Sequence, residues 1–207
     1  MTKDQANTLP FMKMHGLGND FVVVDERGQS PRVDAAIAVA VGDRHRGVGF
    51  DQLAVISDTK GADFHLTFYN SDGTTSAACG NATRCIAQHV MDTTQKATLT
   101  IATDRGLLTA VAAGTGLTSV NMGHPLLDWV DVPLAAQMDT LRLPIDGEPT
   151  ATGMGNPHCT FIVDDIDVVD LAARGAAMER HPLFPERTNV QFAQLVGPDH
   201  LRMRVWE

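Results

Sequence analysis

The sequence predicts an α+β fold made of two similar halves, and three observations carry that prediction. Short β-branched or alternating runs outnumber helical patterns, and they do not alternate regularly with helices as in a doubly wound sheet. Motifs of the first half recur in the second half in the same order. The length of 207 residues suits one large domain or two small ones.

The predicted strands are bounded mostly by Gly, Asp, Asn or Pro. They are FVVVD (21–25), QLAVIS (52–57), HLTFYN (65–70), ATLTIAT (97–103), LLTAVAA (107–113), CTFIVDD (159–165), NVQFAQLV (189–196) and LRMRVW (201–206). A helix is predicted over 34–42, where Asp34 is a capping residue and Gly42 ends the pattern. A second helix is predicted over 81–91, because apolar residues recur there at helical spacing, and a third over 167–179.

The internal repeat consists of three pairs of segments. GLGNDFVVVD (16–25) resembles GMGNPHCTFIVD (153–164), FDQLAVIS (50–57) resembles NVQFAQLV (189–196), and HLTFYN (65–70) loosely resembles HLRMRVWE (200–207). The halves meet near VNMGHP (120–125), which predicts a flexible tail over 1–9, one domain over 10–122 and another over 123–207. In the first half HLTFYN leads into a cysteine-containing segment, and the second half stops where its equivalent would begin. The second domain is therefore expected to be incomplete.

Composition excludes several classes of function. The net charge of −9 and the absence of a Lys/Arg cluster argue against a nucleic-acid partner. No run of about 20 apolar residues predicts a membrane span, and the N-terminal segment lacks the apolar core of a signal peptide. Three cysteines without a secretory signal indicate free thiols in a reducing compartment, so a cytoplasmic protein is expected.

Cys79 is the strongest candidate for chemistry. It lies in NSDGTTSAACGNATRC (70–85), just before a predicted helix, where exposed N–H groups and the helix dipole both favour a thiolate. Gly80 would let a ligand approach the backbone, and its N–H and that of Asn81 could bind a carboxylate. Position alone fits equally well with a small buried residue at a strand-to-helix turn.

Other sites receive weaker support. Cys85 falls on the apolar face of the predicted helix and Cys159 lies in a strand, so both are predicted to be core residues. The cysteines and His158 lack metal-ligand spacing, so no metal site is predicted. A cysteine hydrolase would need a histidine such as His158 as base, which remains a distant alternative. GLGND and GMGNP lack the third glycine of a dinucleotide fingerprint.

The motifs together resemble the diaminopimelate epimerase family over nearly the whole chain from Phe11. The resemblance rests on MHGLGNDF, GFDQL, YNSDG followed by CGNATRC, VNMG, GNPH, TNVQF and the terminal WE. It implies two pseudo-symmetric domains, each a mixed sheet wrapped around a central helix, with the active site in the cleft between them. It also implies epimerisation of LL-2,6-diaminopimelate to the meso form in lysine biosynthesis, with no cofactor, in a cytoplasmic homodimer.

The resemblance also assigns roles to residues. Cys79 is the first of two catalytic cysteines, and the second works on the opposite face of the α-carbon. The predicted substrate-binding residues are Asn19, Gln52, Asn70, Gly80, Asn81, Asn156, Asn189 and Glu207. His158 and Glu207 match positions that tune the cysteine pKa values. Amide side chains suit a diamino-dicarboxylate because each supplies both donors and acceptors.

The chain departs from the family after Glu207. The family continues with an Arg-Gly stretch and a second Cys-Gly-Thr-Gly segment, which this sequence does not contain. Without the second base, the 207-residue chain is expected to be inactive. The alternatives are a non-catalytic, vestigial carboxylate-binding domain and a related proline-racemase-like enzyme.

Overall fold

The computed structural model describes residues 8–207, which form two compact units that meet between Gly123 and His124. Residues 1–7 of the predicted tail lie outside the described residues. Leu9, which belongs to the same predicted tail, is partly buried against the apolar cluster formed by Val22, Leu53 and their neighbours.

The first unit contains one eight-stranded mixed sheet and two helices. The elements are β1 (Met12–Gly16), β2 (Asn19–Asp25), α1 (Ala35–Gly42), β3 (Gln52–Ser57), β4 (Phe64–Asn70), β5 (Thr75–Ser76), α2 (Gly80–Thr94), β6 (Thr98–Thr103), β7 (Gly106–Gly114) and β8 (Leu117–Asn121). The strand order in the sheet is β1-β2-β3-β4-β6-β7-β8, with β5 beside β4. The pairs β2–β3 and β4–β6 are parallel, and the other pairs are antiparallel.

The sheet of the first unit curls around α2. The helix buries Ala82, Ile86 and Val90 against the sheet face that carries Phe21 and Leu66. It also contacts both β1 and β8, the first and last strands of the sheet order. A flat sheet could not bring both of these strands to one helix, so the predicted α+β fold with a central helix is confirmed in this unit.

The opposite face of the same sheet carries a second apolar layer. Val22, Val24, Leu53 and Val55 form it, and Phe50 packs beside them. Such continuous burial of successive residues is typical of strands that are covered on both faces. The Asp34 side chain accepts a hydrogen bond of 2.9 Å from the N–H of Ile37, so it caps α1 as the sequence predicts.

The second unit contains a four-stranded sheet and the helix α3. Its elements are β9 (Thr150–Gly153), β10 (Pro157–Ile162), α3 (Leu171–Glu179), β11 (Asn189–Gly197) and β12 (His200–Trp206). The strand order is β12-β11-β10-β9. Helix α3 packs on one face, where Phe161 and Phe192 stack with their ring centroids 5.1 Å apart. On the other face Leu195, Leu201 and Met203 are exposed, so no helix covers that face within the described residues.

The two units repeat one topology, which confirms the pseudo-symmetry predicted from the sequence. The pairs β1–β2, β2–β3 and β3–β4 are antiparallel, parallel and antiparallel, and the pairs β9–β10, β10–β11 and β11–β12 follow the same sequence. Helices α1 and α3 occupy equivalent places, each in the crossover between the two parallel strands. Over residues 8–207, the helices are all too short or too polar to cross a membrane.

Candidate functional site

Cys79 caps the N-terminus of α2. Its backbone is extended, with φ −142° and ψ 101°, and its Sγ accepts a hydrogen bond of 3.4 Å from the N–H of Ala82. Thr83 donates to the Cys79 carbonyl from both its N–H and its Oγ1, which fixes the backbone of the cap. Cys79 is half-buried. The thiol therefore lies at a helix start and remains partly accessible, instead of being sealed in the core.

Gly80 and Asn81 are the first two residues of α2. Their N–H groups belong to the first turn, which has no intrahelical acceptors. A Cβ added at Gly80 would make only ordinary van der Waals contacts, with Arg84 Nη1 at 3.7 Å and Met122 Sδ at 3.9 Å as its nearest neighbours. There is therefore room for an added atom at the start of α2, next to Cys79.

Arg84 is a site residue that the sequence reasoning missed. Its guanidinium lies beside Gly80 and donates a hydrogen bond to Oδ1 of Asn81. The signal was the spacing, because Arg84 is one turn after Gly80 and helix side chains lean towards the N-terminus. The positive charge adds to the attraction of this helix start for an anion.

Three predicted amide residues form a row on adjacent strands. Gln52 begins β3 and pairs in register with Phe21 on one side and Asn70 on the other. Nε2 of Gln52 donates to Oδ1 of Asn70 over 3.3 Å. Asn19 begins β2, two residues before Phe21, so its side chain shares the same sheet face. This is the face that packs against α2.

Two oxygens of this row are buried without a hydrogen-bond partner, Oδ1 of Asn19 and Oε1 of Gln52. An unsatisfied buried acceptor costs about 1–3 kcal/mol. A ligand that donates N–H groups, such as an ammonium, would satisfy both. The strand register also brings the row towards the start of α2: Gly16 pairs with Asn19, and a Cβ on Gly16 would lie 3.6 Å from Cβ of Asn81.

The second unit carries a matching row. Asn156 follows Gly155 as Asn19 follows Gly18, and the two glycines have similar positive φ values of 97° and 95°. Asn189 begins β11 beside His158, as Gln52 begins β3 beside its partner on β2. Glu207 directly follows Trp206, the register partner of Val190.

His158 lies between two carboxamides. Its Nε2 is 2.9 Å from Oδ1 of Asn156, and its Nδ1 is 2.8 Å from Nε2 of Gln191. Burial lowers the pKa of His158 below its ordinary value, because the charged imidazolium loses hydration. Gln191, which the sequence reasoning did not single out, is itself buried.

The other two cysteines occupy different environments. Cys159 is fully buried in β10, and burial raises the pKa of its thiol to about 12, so the prediction of a core residue is confirmed. Cys85 is half-buried at the edge of the apolar cluster, and its Sγ donates to the carbonyl of His15 over 3.3 Å. Burial also raises the pKa of Cys85. Both thiols are held in the protonated form.

No cluster of three or more His, Cys, Asp or Glu side chains suited to a metal ion occurs within residues 8–207. The polar groups that the described site does offer are a thiol, helix N–H groups, a guanidinium and carboxamides. This set recognises carboxylates and ammonium groups, and its one nucleophilic or basic atom at the start of α2 is Sγ of Cys79.

Several solved structures share this fold. A probable proline racemase from Agrobacterium radiobacter aligns with a TM-score of 0.62 at 14% identity, covering 96% of this chain and 70% of that one. A hydroxyproline epimerase from Agrobacterium vitis, solved with bound trans-4-hydroxy-L-proline, aligns with a TM-score of 0.60 at 15% identity, covering 94% and 69%. At such low identity these matches establish the fold alone.

Sequence relatives are much closer. The diaminopimelate epimerase of Rhodospirillum centenum is 48% identical over 203 residues, which span 95% of this chain and 70% of the relative. That of Acidiphilium cryptum is 47% identical over 207 residues, which span 98% and 74%. The family model for diaminopimelate epimerase matches residues 11–127 and 150–207, which include Cys79 and both amide rows. On these matches, the chain belongs to the diaminopimelate epimerase family.

Proposed function

We propose that this protein inverts an α-carbon of LL-2,6-diaminopimelate to give the meso form, a step of lysine biosynthesis, without a cofactor. The observation that carries the proposal is the half-buried thiol of Cys79 at the start of α2, beside the N–H groups of Gly80 and Asn81. A base and a carboxylate site next to each other are what proton abstraction from an α-amino acid requires.

In the proposed chemical step, the Cys79 thiolate removes the α-proton. The C–H bond breaks, an S–H bond forms, and the electron pair stays on the α-carbon and is delocalised into the carboxylate. The N–H groups of Gly80 and Asn81 and the Arg84 guanidinium stabilise the charge that develops on the carboxylate oxygens. The N–H of Ala82 stabilises the thiolate by the hydrogen bond that it donates to Sγ.

Inversion needs a second acid on the opposite face of the α-carbon. Cys159 does not suit this role because it is fully buried, and Cys85 does not because its Sγ lies against β1, where it donates to the carbonyl of His15. Since one acid–base group contributes about 10²–10⁴-fold in rate, we expect no measurable epimerisation from the 207 residues alone. By resemblance to the family, the missing group is a second cysteine.

The remaining proposed roles concern the charged groups of the substrate. The unpartnered oxygens of Asn19 and Gln52 suit an ammonium group, and the amide of Asn70 completes that row. In the second unit, Asn156 and Asn189 are proposed to donate to a carboxylate. Glu207 is proposed to accept from an ammonium and, with His158, to tune a cysteine pKa.

The amide rows favour diaminopimelate over a proline-like substrate. Proline carries one carboxylate and one secondary ammonium, whereas each unit carries a row of polar side chains in addition to the helix start. Diaminopimelate carries two groups of each kind and can satisfy more of these atoms. A non-catalytic carboxylate-binding domain would share the helix start but would not need a reactive thiol.

The proposal is tested by measuring how fast iodoacetamide alkylates each cysteine, read by mass spectrometry of the peptides. We expect LL-2,6-diaminopimelate to slow alkylation of Cys79 and to leave the rate at Cys85 unchanged. L-proline at the same concentration should protect less. Equal protection by the two compounds, or none by diaminopimelate, would contradict the proposed substrate.

A second measurement addresses the chemistry. The 207-residue chain is incubated with LL-2,6-diaminopimelate in D₂O, and the α-carbon is examined by NMR. We expect no meso product. Meso product that forms with the unsubstituted chain and disappears in the Cys79→Ala variant would show that the groups present suffice for inversion, and the requirement for a second cysteine would be wrong.

A further inference from the structure

We infer that Gln191 is a positioning residue that fixes the tautomer of His158 and, through it, the orientation of the Asn156 side chain. The imidazole carries its proton on Nε2, and the carboxamide of Asn156 turns its oxygen towards that proton. Gln191 itself touches neither substrate nor reacting atoms in the proposed reaction. It acts through two intermediate side chains, His158 and Asn156, which it reaches by a chain of hydrogen bonds on one face of the second sheet.

The chain of hydrogen bonds begins at Thr160. Its hydroxyl donates to Oε1 of Gln191 over 3.2 Å, which orients the carboxamide so that Nε2 faces His158. An amide nitrogen can only donate, so Nδ1 of His158, 2.8 Å away, must be the acceptor. The imidazole proton is then on Nε2, which donates to Oδ1 of Asn156 over 2.9 Å.

The sheet register builds this chain. Thr160 and Gln191 are register partners on the parallel strands β10 and β11. His158 and Thr160 are two residues apart in β10, so the alternation of the strand places their side chains on the same face. Asn156 directly precedes β10, and its Oδ1 lies 2.9 Å from Nε2 of His158. Successive members therefore lie within hydrogen-bonding distance without a change in the backbone.

Burial makes the arrangement selective. Gln191 is only 6% exposed, and the chain satisfies both ends of its carboxamide. Turning that carboxamide over would set its NH₂ group towards the Thr160 hydroxyl and its oxygen towards Nδ1 of His158. In a neutral imidazole protonated on Nε2, the acceptor Nδ1 would then face the acceptor Oε1 of Gln191. The unsatisfied buried groups would cost about 1–3 kcal/mol.

The consequence for ligand binding rests on the proposed function. With its oxygen occupied by His158, Asn156 presents two N–H donors, and a substrate carboxylate accepts hydrogen bonds only. If the imidazole proton were on Nδ1, Oδ1 of Asn156 would no longer receive a hydrogen bond from Nε2 of His158. The carboxamide of Asn156 could then turn its oxygen towards the carboxylate. Gln191 thus favours a carboxylate over an ammonium at Asn156.

The test reads the tautomer directly, without substrate. In ¹⁵N-histidine-labelled protein, two-bond ¹H–¹⁵N correlation spectra distinguish a protonated ring nitrogen from an unprotonated one. The chain has 8 histidines, and the signals of His158 are identified by their loss in His158→Asn. At a pH where the ring is neutral, we expect Nδ1 unprotonated and Nε2 protonated.

Two variants and one control separate positioning from packing. Gln191→Glu places an acceptor at Nδ1, so we expect the proton of His158 to be found on Nδ1. Thr160→Val removes the group that orients Gln191 and is expected to give a mixture of tautomers. Gln194→Glu is the control on the same strand, because Gln194 bonds to the backbone of Ile166 and Asp164 and should leave His158 unchanged.

Two results would overturn the inference. One is an Nδ1–H tautomer, or a mixture, in the unsubstituted protein. The other is a Gln191→Glu protein that is folded by circular dichroism and keeps the Nε2–H tautomer. Neither result depends on catalysis. Failure of diaminopimelate to protect Cys79, with the tautomer as expected, would count against the proposed function alone.

Discussion

The substitution Gly80→Ala should separate ligand binding from stability at the start of α2. A Cβ at this position would have its nearest neighbours at 3.7 and 3.9 Å, which is ordinary van der Waals contact. No steric cost is therefore expected. Alanine also loses less backbone entropy than glycine in a helix, by about 0.5–1 kcal/mol in the interior and less at the first position. We expect the free energy of unfolding to stay unchanged or to rise slightly.

Carboxylate binding should weaken in the same variant. Cβ atoms of a helix tilt towards its N-terminus, so the added methyl lies where an anion would approach the N–H groups of Gly80 and Asn81. Losing one hydrogen bond to a charged group costs about 1.5–3 kcal/mol, which corresponds to roughly 10- to 150-fold weaker binding. The concentration of diaminopimelate that half-protects Cys79 from iodoacetamide should increase by that factor.

Gly197→Ala is a matched control for the added methyl. Gly197 ends β11 in the second unit, and a Cβ there would meet only Cβ of His200 at 3.7 Å. The Gly197→Ala variant should unfold in urea at the same midpoint as the unsubstituted protein. Diaminopimelate should protect its Cys79 from iodoacetamide at the same concentration. The reasoning is refuted if Gly80→Ala keeps full protection, or if it unfolds at a clearly lower urea concentration.

Three further predictions concern stability. Gly175→Ala should lower the free energy of unfolding by about 1–3 kcal/mol in urea titrations, because the new Cβ would lie 2.5 Å from Cγ of Trp206; an unchanged midpoint would contradict this packing. Cys159 has a raised pKa in the folded protein, so as the pH rises its thiol ionises in the unfolded chain before it does in the folded one. The free energy of unfolding should therefore fall between about pH 9 and pH 12 more steeply than in Cys159→Ala. Parallel pH profiles for the two proteins would contradict this. The Arg44 guanidinium and the Lys13 ammonium hold the pKa of Asp20 well below its ordinary value. Asp20→Asn should therefore lower the free energy of unfolding by about 1 kcal/mol at pH 7, and this difference should shrink as the pH falls below 4. A difference that does not change with pH would disprove the prediction.

The sequence was informative where structure depends on nearby residues. The Asp34 cap, the amphipathic period of α2 and the repeated motifs are local signals, and each predicted its element. The end of α2 was less accessible, since the helix continues to Thr94, whose hydroxyl bonds back to the carbonyl of Val90. Gln95 then ends it in a left-handed conformation that sequence patterns mark weakly when the residue is not glycine.

Contacts between distant segments could not be predicted in this way. The bond between Gln191 and His158 joins residues 33 positions apart, and it depends on the register of two parallel strands. Cys85 was predicted to be core from its position on the apolar face of α2. It is half-buried because its Sγ lies at the edge of that face, against the backbone of β1 at His15. The helical period predicts which side of the helix a residue lies on, but not which part of the chain packs against that side.

The separation of the apolar clusters has a consequence for how this protein folds while it is being synthesised. Within residues 8–207, two clusters lie wholly before Gly123 and the third lies wholly after His124. Every strand and helix that contributes to the first two has left the ribosome once residue 123 has cleared the exit tunnel. The amino-terminal unit can therefore close its interior during translation, while the carboxy-terminal unit is still being made.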